Sequence, residues 1–549
     1  MQLRMWTYDI AREQAPTLDH MRVFCDATVA GGYNAIGLYL EHRFAYPSTP
    51  WAHGRGCLTP EIVQHLQKEY PQLQIIPFVN LLGHFEGMIY TEFGKRFREE
   101  RFKGMQACPS NLEFVELARA IIDDSIAIFK SEIIHIGGDE TWQLGKCPAC
   151  SRRVKGGDES APHDNSLSTS DIRHPKSEID GKAILYGEHF GPLAQHVVDK
   201  RRRPAVWGDM YLQHPAALEF MPKETLIFDW QYFNSPLETS RKFIERGFEV
   251  VCCPTLHTYN SIWLHVPQSE ENVRQAAEAA SELGAYGVCV TTWECGLFGN
   301  YETLLPAIRA GGKLLVVDAT GSSESDSKAN PSHEPHPTHQ SHAPTILDSY
   351  AAVSELHAEW ARLIGVELQK VGGVFTFSGT RSSLKVRLLL QANPFLAWLH
   401  HAEELTGEVG DKALAICDEA IQVAPNGAYR GVPEFIKSGI EFVRYAEQAR
   451  QAYANGLPGV ATSALAPCRQ IFENMEKIAR ATNLNSGGSL ADIERCKIAR
   501  EHVERVIKRI REFGDGSLGY LPAFEHITHP KFVPHDQAAW WLINKWASE

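Results

Sequence analysis

The chain has 549 residues, 44% of them hydrophobic and 22% charged, so it can form several hydrophobic cores and has an ordinary globular composition. Its 54 Lys and Arg residues against 67 Asp and Glu residues leave a net charge of −13, and no basic run is present to follow a phosphate backbone. This composition excludes a disordered or fibrous chain, and we expect no nucleic-acid partner.

The N-terminal residues lack the charged segment, apolar run and small-residue cleavage site of a secretory signal. Apolar stretches elsewhere are shorter than a membrane span. We therefore expect a cytoplasmic protein without a membrane partner. The twelve cysteines lack the spacing of a disulfide framework, which predicts reduced thiols.

Short β-branched runs alternate with longer amphipathic stretches over the first 320 residues, which is the pattern of repeated βα units. The predicted strands are residues 4–9, 35–40, 73–79, 132–137, 204–209, 225–230, 248–254 and 286–293. Helical periodicity separates them, for example at 111–130 and 270–283. Eight such units predict a (β/α)8 TIM barrel at residues 1–318 rather than an open sheet.

Two polar segments, 151–182 and 319–344, interrupt this pattern. Neither has enough apolar residues to form a core alone. We interpret the first as an insertion or lid after strand 4 and the second as a flexible linker or loop. From Thr345 onward, strand signals disappear and apolar residues follow helical spacing, which predicts an α-helical domain at 345–549. Its amphipathic faces would pack on the barrel or form a homodimer.

The strongest local signal is the sequence HIGGDE at residues 135–140, where the fourth predicted strand ends. In a (β/α)8 barrel, active sites form at this end of the strands. Neighbouring side chains of a strand point to opposite faces, so Asp139 and Glu140 can face one substrate only if the backbone leaves the pleat. Gly137 and Gly138 permit this change. The alternative is that Asp139 only caps a following helix.

HIGGDE resembles the His-x-Gly-Gly-Asp-Glu motif of the β-N-acetylhexosaminidases of glycoside hydrolase family 20. Asp9 to Arg12, after strand 1, is similar to the family's Asp-x-x-Arg, and PFVNLLGH at 77–84 resembles its proline-to-Gly-His segment after strand 3. The ends of strands 5 to 8 resemble its aromatic walls and hydroxyl-binding positions, at Trp207 to Met210, Asp229 and Trp230, Tyr259 and Asn260, and Trp293 and Glu294. The resemblance covers roughly residues 3–315.

Two segments depart from the family pattern. Residues 39–43 read YLEHR where many members have His-Leu-Thr-Asp-Asp, and Asn80 stands where an aspartate is usual before the Gly-His pair. We expect no β-rich domain of the kind that often precedes the barrel, and the sequence resembles the compact members. Those members include enzymes that favour N-acetylgalactosamine as well as enzymes that favour N-acetylglucosamine.

The resemblance implies an exo-acting, retaining enzyme that removes terminal β-linked N-acetylhexosamine from an oligosaccharide or glycoconjugate. Asp139 and Glu140 would be its catalytic residues, with no metal and no other cofactor. Glu140 would act as general acid and base. Asp139 would hold the substrate's acetamido group while that group attacks the anomeric carbon. The implied substrate-binding residues are Arg12, His84, His135, Trp207, Trp230, Tyr259, Asn260, Trp293 and Glu294.

Two other functions stay open at this point. One is a retaining glycosidase in which a carboxylate attacks sugars without an acetamido group. The other is a non-catalytic carbohydrate-binding protein that keeps the aromatic pocket, although intact Asp139 and Glu140 argue against it.

The sequence CPAC at residues 147–150 has half of the spacing of a zinc ribbon. A second CxxC pair is missing from the sequence, so we interpret these cysteines as plain thiols. A zinc site is the alternative, and it would need ligands from distant cysteines or from histidines such as His163 and His174.

Overall fold

A closed parallel sheet forms the first part of the molecule. The computed structural model describes residues 1–11, 14–54, 56–100, 105–154, 180–258, 261–293, 301–316, 345–375, 384, 393–481, 490–516 and 521–528. The strands found in these residues are β1 Leu3–Asp9, β2 Ala35–Tyr39, β3 Gln74–Phe78, β4 Ile133–His135, β5 Arg203–Trp207, β6 Leu226–Trp230, β7 Glu249–Cys253, β8 Thr255–His257 and β9 Gly287–Thr292. Because β9 pairs with both β7 and β1, the sheet closes, and the predicted (β/α)8 barrel is confirmed.

The seventh position of the barrel holds two strands, β7 and β8, which both pair with β9. Pro254 separates them, and proline has no N–H to donate to a ladder. The sequence pattern predicted a strand that ended at residue 254, so it did not include β8. The extension reaches the carboxyl end of the barrel, where the N–H of Trp293 donates to the carbonyl of His257 at 3.0 Å.

Helices cover the outside of the barrel. They are α1 Leu18–Ala30, α2 Pro60–Glu69, α3 Glu86–Ile89, α4 Leu112–Ile128, α5 Pro148–Val154, α6 Gly181–Asp199, α7 Asp209–Gln213, α8 Leu237–Ile244, α9 Val266–Glu282 and α10 Tyr301–Leu314. Their buried residues recur at helical spacing, as at Phe114, Ala118, Ile121 and Ile122 of α4, so one face of each long helix packs on the sheet.

The C-terminal region is helical, as the sequence predicted. Its helices are α11 Ile346–Ala351, α12 Glu355–Arg362, α13 Leu368–Val371, α14 Phe395–Leu405, α15 Glu408–Val423, α16 Gly427–Ala454, α17 Pro458–Ala479, α18 Leu490–Gly514 and α19 Phe524–Thr528. A π-helical turn at Leu363–Glu367 joins α12 to α13. None of the helices described is both long and apolar enough to cross a bilayer.

Two hydrophobic cores hold these layers together. The inner core fills the barrel with side chains from alternating strand positions, such as Met5, Phe78 and Phe228. The outer core lies between the sheet and the helices and continues without a break into the C-terminal helices. We therefore expect the barrel and the C-terminal helices to stabilise each other. The proposed boundaries at 318 and 345 stay predictions, and residues 155–179 and 317–344 lie outside the described residues.

An aromatic cluster forms the contact between barrel and C-terminal helices. Trp263, in the connection between β8 and α9, packs edge-on against Trp360 of α12, with ring centroids 4.8 Å apart. Trp360 in turn packs against Tyr429 of α16 at 4.8 Å. The hydroxyl of Tyr350 donates a hydrogen bond of 2.7 Å to the carbonyl of Thr303 in α10. Since Trp360 is fully buried, this contact links the two parts through well-packed side chains.

Replacing Trp360 with alanine should destabilise the barrel as well as the helices. Loss of a buried tryptophan costs about 3–5 kcal/mol. The matched control is Leu356→Ala in the same helix, where the side chain is 52% exposed and a change within about 0.5 kcal/mol is expected. Thermal unfolding followed by circular dichroism, with residual activity after heating as a readout of the barrel, would measure both effects. If Trp360→Ala left the inactivation temperature unchanged, the helical region would not support the barrel.

Candidate active site

The turn after β4 leaves strand geometry immediately. Gly137 and Gly138 have φ angles of 79° and 107°, and Glu140 has a φ of 49°. A Cβ atom on Gly138 would lie 2.5 Å from the hydroxyl oxygen of Tyr186, which itself donates a 2.5 Å hydrogen bond to the Gly138 carbonyl. Position 138 therefore needs glycine both for its backbone conformation and for space. The turn ends the strand alternation, as the sequence predicted for Asp139 and Glu140.

Asp139 and Glu140 approach the same imidazole nitrogen. Nε2 of His84 lies 3.1 Å from Oε2 of Glu140 and 3.4 Å from Oδ2 of Asp139. The Glu140 side chain is 29% exposed, whereas the side chains of Asp139 and His84 are 12% and 9% exposed. The structure therefore brings these three sequence-predicted residues together, with Glu140 nearest to solvent.

Backbone strain is concentrated here. Among the described residues, four that are not glycine have a positive φ, and three of them are Glu41, His84 and Glu140. Such conformations cost about 1–3 kcal/mol each and persist only where the surrounding structure imposes them. Two of these strained residues, Glu41 and Glu140, place their carboxylates near the imidazole of the third, His84.

Two carboxylates that the sequence analysis did not select lie beside His84. Oε1 of Glu86 is 3.8 Å from Nδ1 of His84, and Glu41, His84 and Glu86 place ligand atoms within 4.8 Å of one another. Burial lowers the pKa of His84, but the charge of Asp139 and hydrogen bonds to Glu140 and Glu86 hold that pKa well above its usual value. His84 therefore lies as a basic group within a cluster of carboxylates, which favour its charged form.

Asp209, the first residue of α7, supports the turn from the β5 side. Its Oδ2 accepts a hydrogen bond of 3.0 Å from the N–H of Glu140. Burial, together with the charges of Asp139 and Glu140, raises the pKa of Asp209. Asp209 lies in the segment from Trp207 to Met210, which resembles the family's aromatic walls and hydroxyl-binding positions, but it was not among the predicted site residues. Its position two residues after the end of β5 was the signal that could have identified Asp209.

Aromatic rings line the same end of the barrel. The ring of Trp293 lies 6.0 Å from Trp207 and 5.0 Å from Tyr39, and its Nε1–H donates to the hydroxyl of Tyr232 at 2.7 Å. Trp230 stacks on Tyr232 at 5.1 Å. Trp207 is 1% exposed and forms the floor, Trp293 is 8% exposed, and Trp230 is half-buried at the rim. The three predicted tryptophans therefore share one region, and Tyr39 and Tyr232 extend it beyond the prediction.

His135 lies beneath the turn. It has no exposed surface, its ring stacks on Phe78 with centroids 4.2 Å apart, and its Nδ1 accepts the N–H of Gly137 at 3.2 Å. Burial lowers the pKa of His135 well below the usual value, so the ring is neutral. This geometry favours a role in supporting the turn, and the substrate contact expected for His135 stays a prediction.

Four of the predicted substrate-binding residues lie outside the described residues. They are Arg12, Tyr259, Asn260 and Glu294. Their neighbours along the chain are described, and Asp9, Thr258 and Trp293 end or follow strands at the carboxyl end of the barrel. The roles of the four residues in binding a sugar stay predictions.

Solved structures similar to the chain include three hexosaminidases of low sequence identity. The β-N-acetylhexosaminidase of Bacteroides fragilis NCTC 9343 is 16% identical, with a TM-score of 0.43 over 57% of this chain and 65% of that protein. The chitobiase of Flavobacterium johnsoniae is 12% identical, with a TM-score of 0.45 over 99% and 77%. The family 20 β-N-acetylhexosaminidase of Streptomyces coelicolor A3(2) is 12% identical, with a TM-score of 0.39 over 57% and 63%. This chain thus spans slightly less than two thirds of the first and third of these proteins.

A family comparison of the sequence identifies the barrel. No curated protein matches the chain. Residues 61–299, from α2 to just beyond β9, match the catalytic domain of glycosyl hydrolase family 20. This segment includes His84, the turn with Asp139 and Glu140, and the three tryptophans. Residues 61–299, which form most of the (β/α)8 barrel, are therefore similar to the catalytic domain of glycosyl hydrolase family 20.

Proposed function

We propose that the chain is an exo-acting, retaining β-N-acetylhexosaminidase. It would remove terminal β-linked N-acetylglucosamine or N-acetylgalactosamine from an oligosaccharide or glycoconjugate, through an oxazolinium intermediate formed by the sugar's own acetamido group. One observation carries the proposal. The carboxylates of Asp139 and Glu140 are consecutive in sequence and both contact Nε2 of His84.

This arrangement argues against attack by one carboxylate of the pair. In a two-carboxylate retaining enzyme, the proton donor and the nucleophile flank the glycosidic bond, with carboxyl groups about 5–5.5 Å apart. Asp139 and Glu140 come from a single turn and share one imidazole nitrogen, so they approach a sugar from one side. A substrate that supplies its own acetamido nucleophile needs one acid and one orienting carboxylate.

The exposure of the two side chains supports a different role for each of them. Glu140 is the more exposed, at 29% against 12% for Asp139, and its longer side chain can reach the oxygen of a leaving group that departs toward solvent. We therefore assign Glu140 as general acid and base. The deeper Asp139 would accept a hydrogen bond from the acetamido N–H and stabilise the positive charge of the oxazolinium.

The charge on His84 fits this cycle. When Glu140 gives its proton to the leaving oxygen, it becomes an anion beside Asp139, and the imidazolium 3.1 Å away offsets the added charge. Glu86, on the Nδ1 side at 3.8 Å, favours the charged form of His84. Around this cluster, Trp207, Trp230 and Trp293 supply apolar surface suited to an acetamido methyl and a sugar ring face.

Glu140→Gln should lower kcat strongly for substrates with poor leaving groups and much less for aryl glycosides with acidic phenols. General acid help is worth about 10²–10⁴-fold and is needed least when the leaving group departs without a proton. The matched control is Glu86→Gln, the same change on the other side of His84, for which similar losses across the series are expected. A Brønsted plot of kcat/KM against leaving-group pKa would measure this. Equal slopes for Glu140→Gln and wild type would exclude Glu140 as the proton donor.

Asp139→Ala should lower kcat by about 10²–10³-fold, by analogy with loss of a preorganised stabilising group, and should weaken binding of a thiazoline mimic of the intermediate.

The wild-type enzyme should cleave aryl 2-acetamido glycosides with retained configuration and leave the 2-hydroxy analogues intact. A 2-fluoro sugar with a good leaving group tests the opposing mechanism. A carboxylate covalently labelled by this sugar, found in a digest of the treated enzyme, would favour the carboxylate-nucleophile glycosidase instead. Efficient turnover of plain galactosides or glucosides would favour it as well.

His84 and His135 should affect stability with opposite pH dependence. The raised pKa of His84 stabilises the fold below the unfolded value of about 6.5, and this stabilisation is lost as pH rises toward the folded pKa. The stability difference between wild type and His84→Asn should therefore be constant in acid and shrink above about pH 6.5, by up to about 1.4 kcal/mol per pH unit. Asparagine suits the φ of 50° at this position.

The lowered pKa of His135 predicts the reverse behaviour for His135→Asn. Its stability difference should be constant above about pH 6.5 and shrink in acid, where the unfolded chain takes up a proton that the folded chain does not. Denaturant unfolding between pH 5 and pH 9 would measure both series. A pH-independent difference for His84→Asn would contradict a charged His84.

A further inference from the structure

Three cysteines and a glutamate converge beside the catalytic turn. The Sγ atom of Cys108 lies 3.5 Å from that of Cys147 and 3.6 Å from that of Cys150, and Sγ of Cys150 lies 3.4 Å from Oε2 of Glu99. One ligand atom from each of the four residues fits within 4.8 Å of all the others. The cluster is separate from His84 and its carboxylates.

The distances match those of a tetrahedral metal site. Ligands at about 2.3 Å for sulfur and about 2.0 Å for oxygen place neighbouring donor atoms roughly 3.5–3.8 Å apart. The N–H of Cys150 donates to Sγ of Cys147 at 3.3 Å, so the CxxC segment already turns both sulfur atoms to one side. Cys150 is fully buried, and Cys108 is 7% exposed. These side chains need little movement to accept an ion.

Glu99 is oriented toward the sulfur atoms. Its Oε1 accepts the backbone N–H groups of Lys146 and Cys147 at 2.7 and 2.9 Å, which leaves Oε2 for the cysteines. Its side chain is 2% exposed, and in the described part of the chain no basic side chain forms an ion pair with it. Burial of a carboxylate without a neighbouring positive charge costs free energy, and a bound cation would lower that cost.

We propose that Glu99, Cys108, Cys147 and Cys150 bind one Zn²⁺ ion as a structural site. Three sulfur ligands favour zinc over calcium or magnesium, which take oxygen ligands. Four protein ligands leave no open position for a water or a substrate, so the ion is structural rather than catalytic. The CxxC pair alone predicted plain thiols because its two partners, Cys108 and Glu99, lie 39 and 48 residues before Cys147, in another connection.

The site would join the two connections that carry the catalytic cluster. Glu99 and Cys108 belong to the segment between β3 and α4, which also holds His84, whereas Cys147 and Cys150 follow the turn with Glu140. A hydrogen bond of 3.0 Å from the N–H of Gln143 to the Gln106 side chain links the same two segments. Zinc would therefore fix the position of His84 relative to Glu140, whichever sugar the enzyme cleaves.

Metal analysis of the purified full-length chain tests the proposal. Plasma mass spectrometry of protein prepared without chelators should find about one zinc per chain. Cys108→Ser and Cys150→Ser should lose this zinc, whereas Cys417→Ser, a buried cysteine of α15 far along the chain, should retain it. Glu99→Gln keeps an oxygen for the backbone N–H groups but loses the charge, so it should weaken zinc binding in competition with a chromogenic chelator.

Replacement of zinc by cobalt identifies the donor atoms. Bound Co²⁺ should give the sulfur-to-cobalt charge-transfer band and the intense visible bands of a tetrahedral site, and both should be lost in Cys108→Ser. Chelator treatment should lower Tm by at least about 5 °C in wild type and by much less in Cys108→Ser, which has no zinc to remove. The cobalt and zinc measurements do not depend on hydrolytic activity, so they also stand if the proposed substrate is wrong.

Three results would overturn the proposal. The first is wild-type protein with negligible zinc that also fails to bind cobalt. The second is a disulfide between Cys108 and Cys147 or Cys150 in the non-reduced protein. The third is zinc that persists in the cysteine variants but is lost on replacing histidines of the segment at 333–342, which would place the metal in that segment.

Discussion

The site depends on one conformational constraint, the left-handed backbone at the end of β4. A regular strand would send Asp139 and Glu140 to opposite faces of the sheet, one into the barrel and the other toward the helices. The positive φ angles of Gly137, Gly138 and Glu140 break that alternation. Tyr186 and the N–H acceptor Asp209 then hold the turn in place. The neighbouring carboxylates can share one imidazole only because this turn is imposed on them.

A concentration of negative charge is the consequence of that turn. Asp139 and Glu140 share a buried region with Asp209, Glu86 and Glu41, and the imidazole of His84 lies among these carboxylates. Two responses to this charge follow. The surrounding carboxylates hold the pKa of His84 above its usual value despite burial, and the pKa of Asp209 is raised, which favours its neutral form. Both responses lower the cost of holding Glu140 beside Asp139, and they connect the backbone strain to the chemistry proposed for the pair.

The sequence predicted those features that depend on local pattern. The alternation of predicted strands with amphipathic helices located the barrel, and the glycines before Asp139 located the turn. Both signals are carried by residues that are close together in the sequence. Glu86, Tyr232 and the extension after Pro254 were missed because their roles arise only when separate connections meet at one end of the barrel. Glu99 and Cys108 were missed for the same reason. The sugar contacts of Arg12, Tyr259, Asn260 and Glu294 stay predictions, since these residues are not among those described.

Different parts of the molecule support the two sides of the site. On the β3 and β4 side, the connections that follow these strands contact each other through Gln106, which accepts the N–H of Gln143, and through the cysteine cluster.

On the opposite side, support comes from the C-terminal helices. Trp360 packs on Trp263, whose Nε1–H donates to the hydroxyl of Thr303 at 3.1 Å. Tyr301, in the same helix as Thr303, accepts the N–H of Asp9 at 3.1 Å at the end of β1. A continuous path of packed and hydrogen-bonded groups therefore runs from the helical region to the strand end that precedes Arg12. A barrel alone would lack the outer layer on that side, so aromatic packing and hydrogen bonds with the helical region support this part of the barrel.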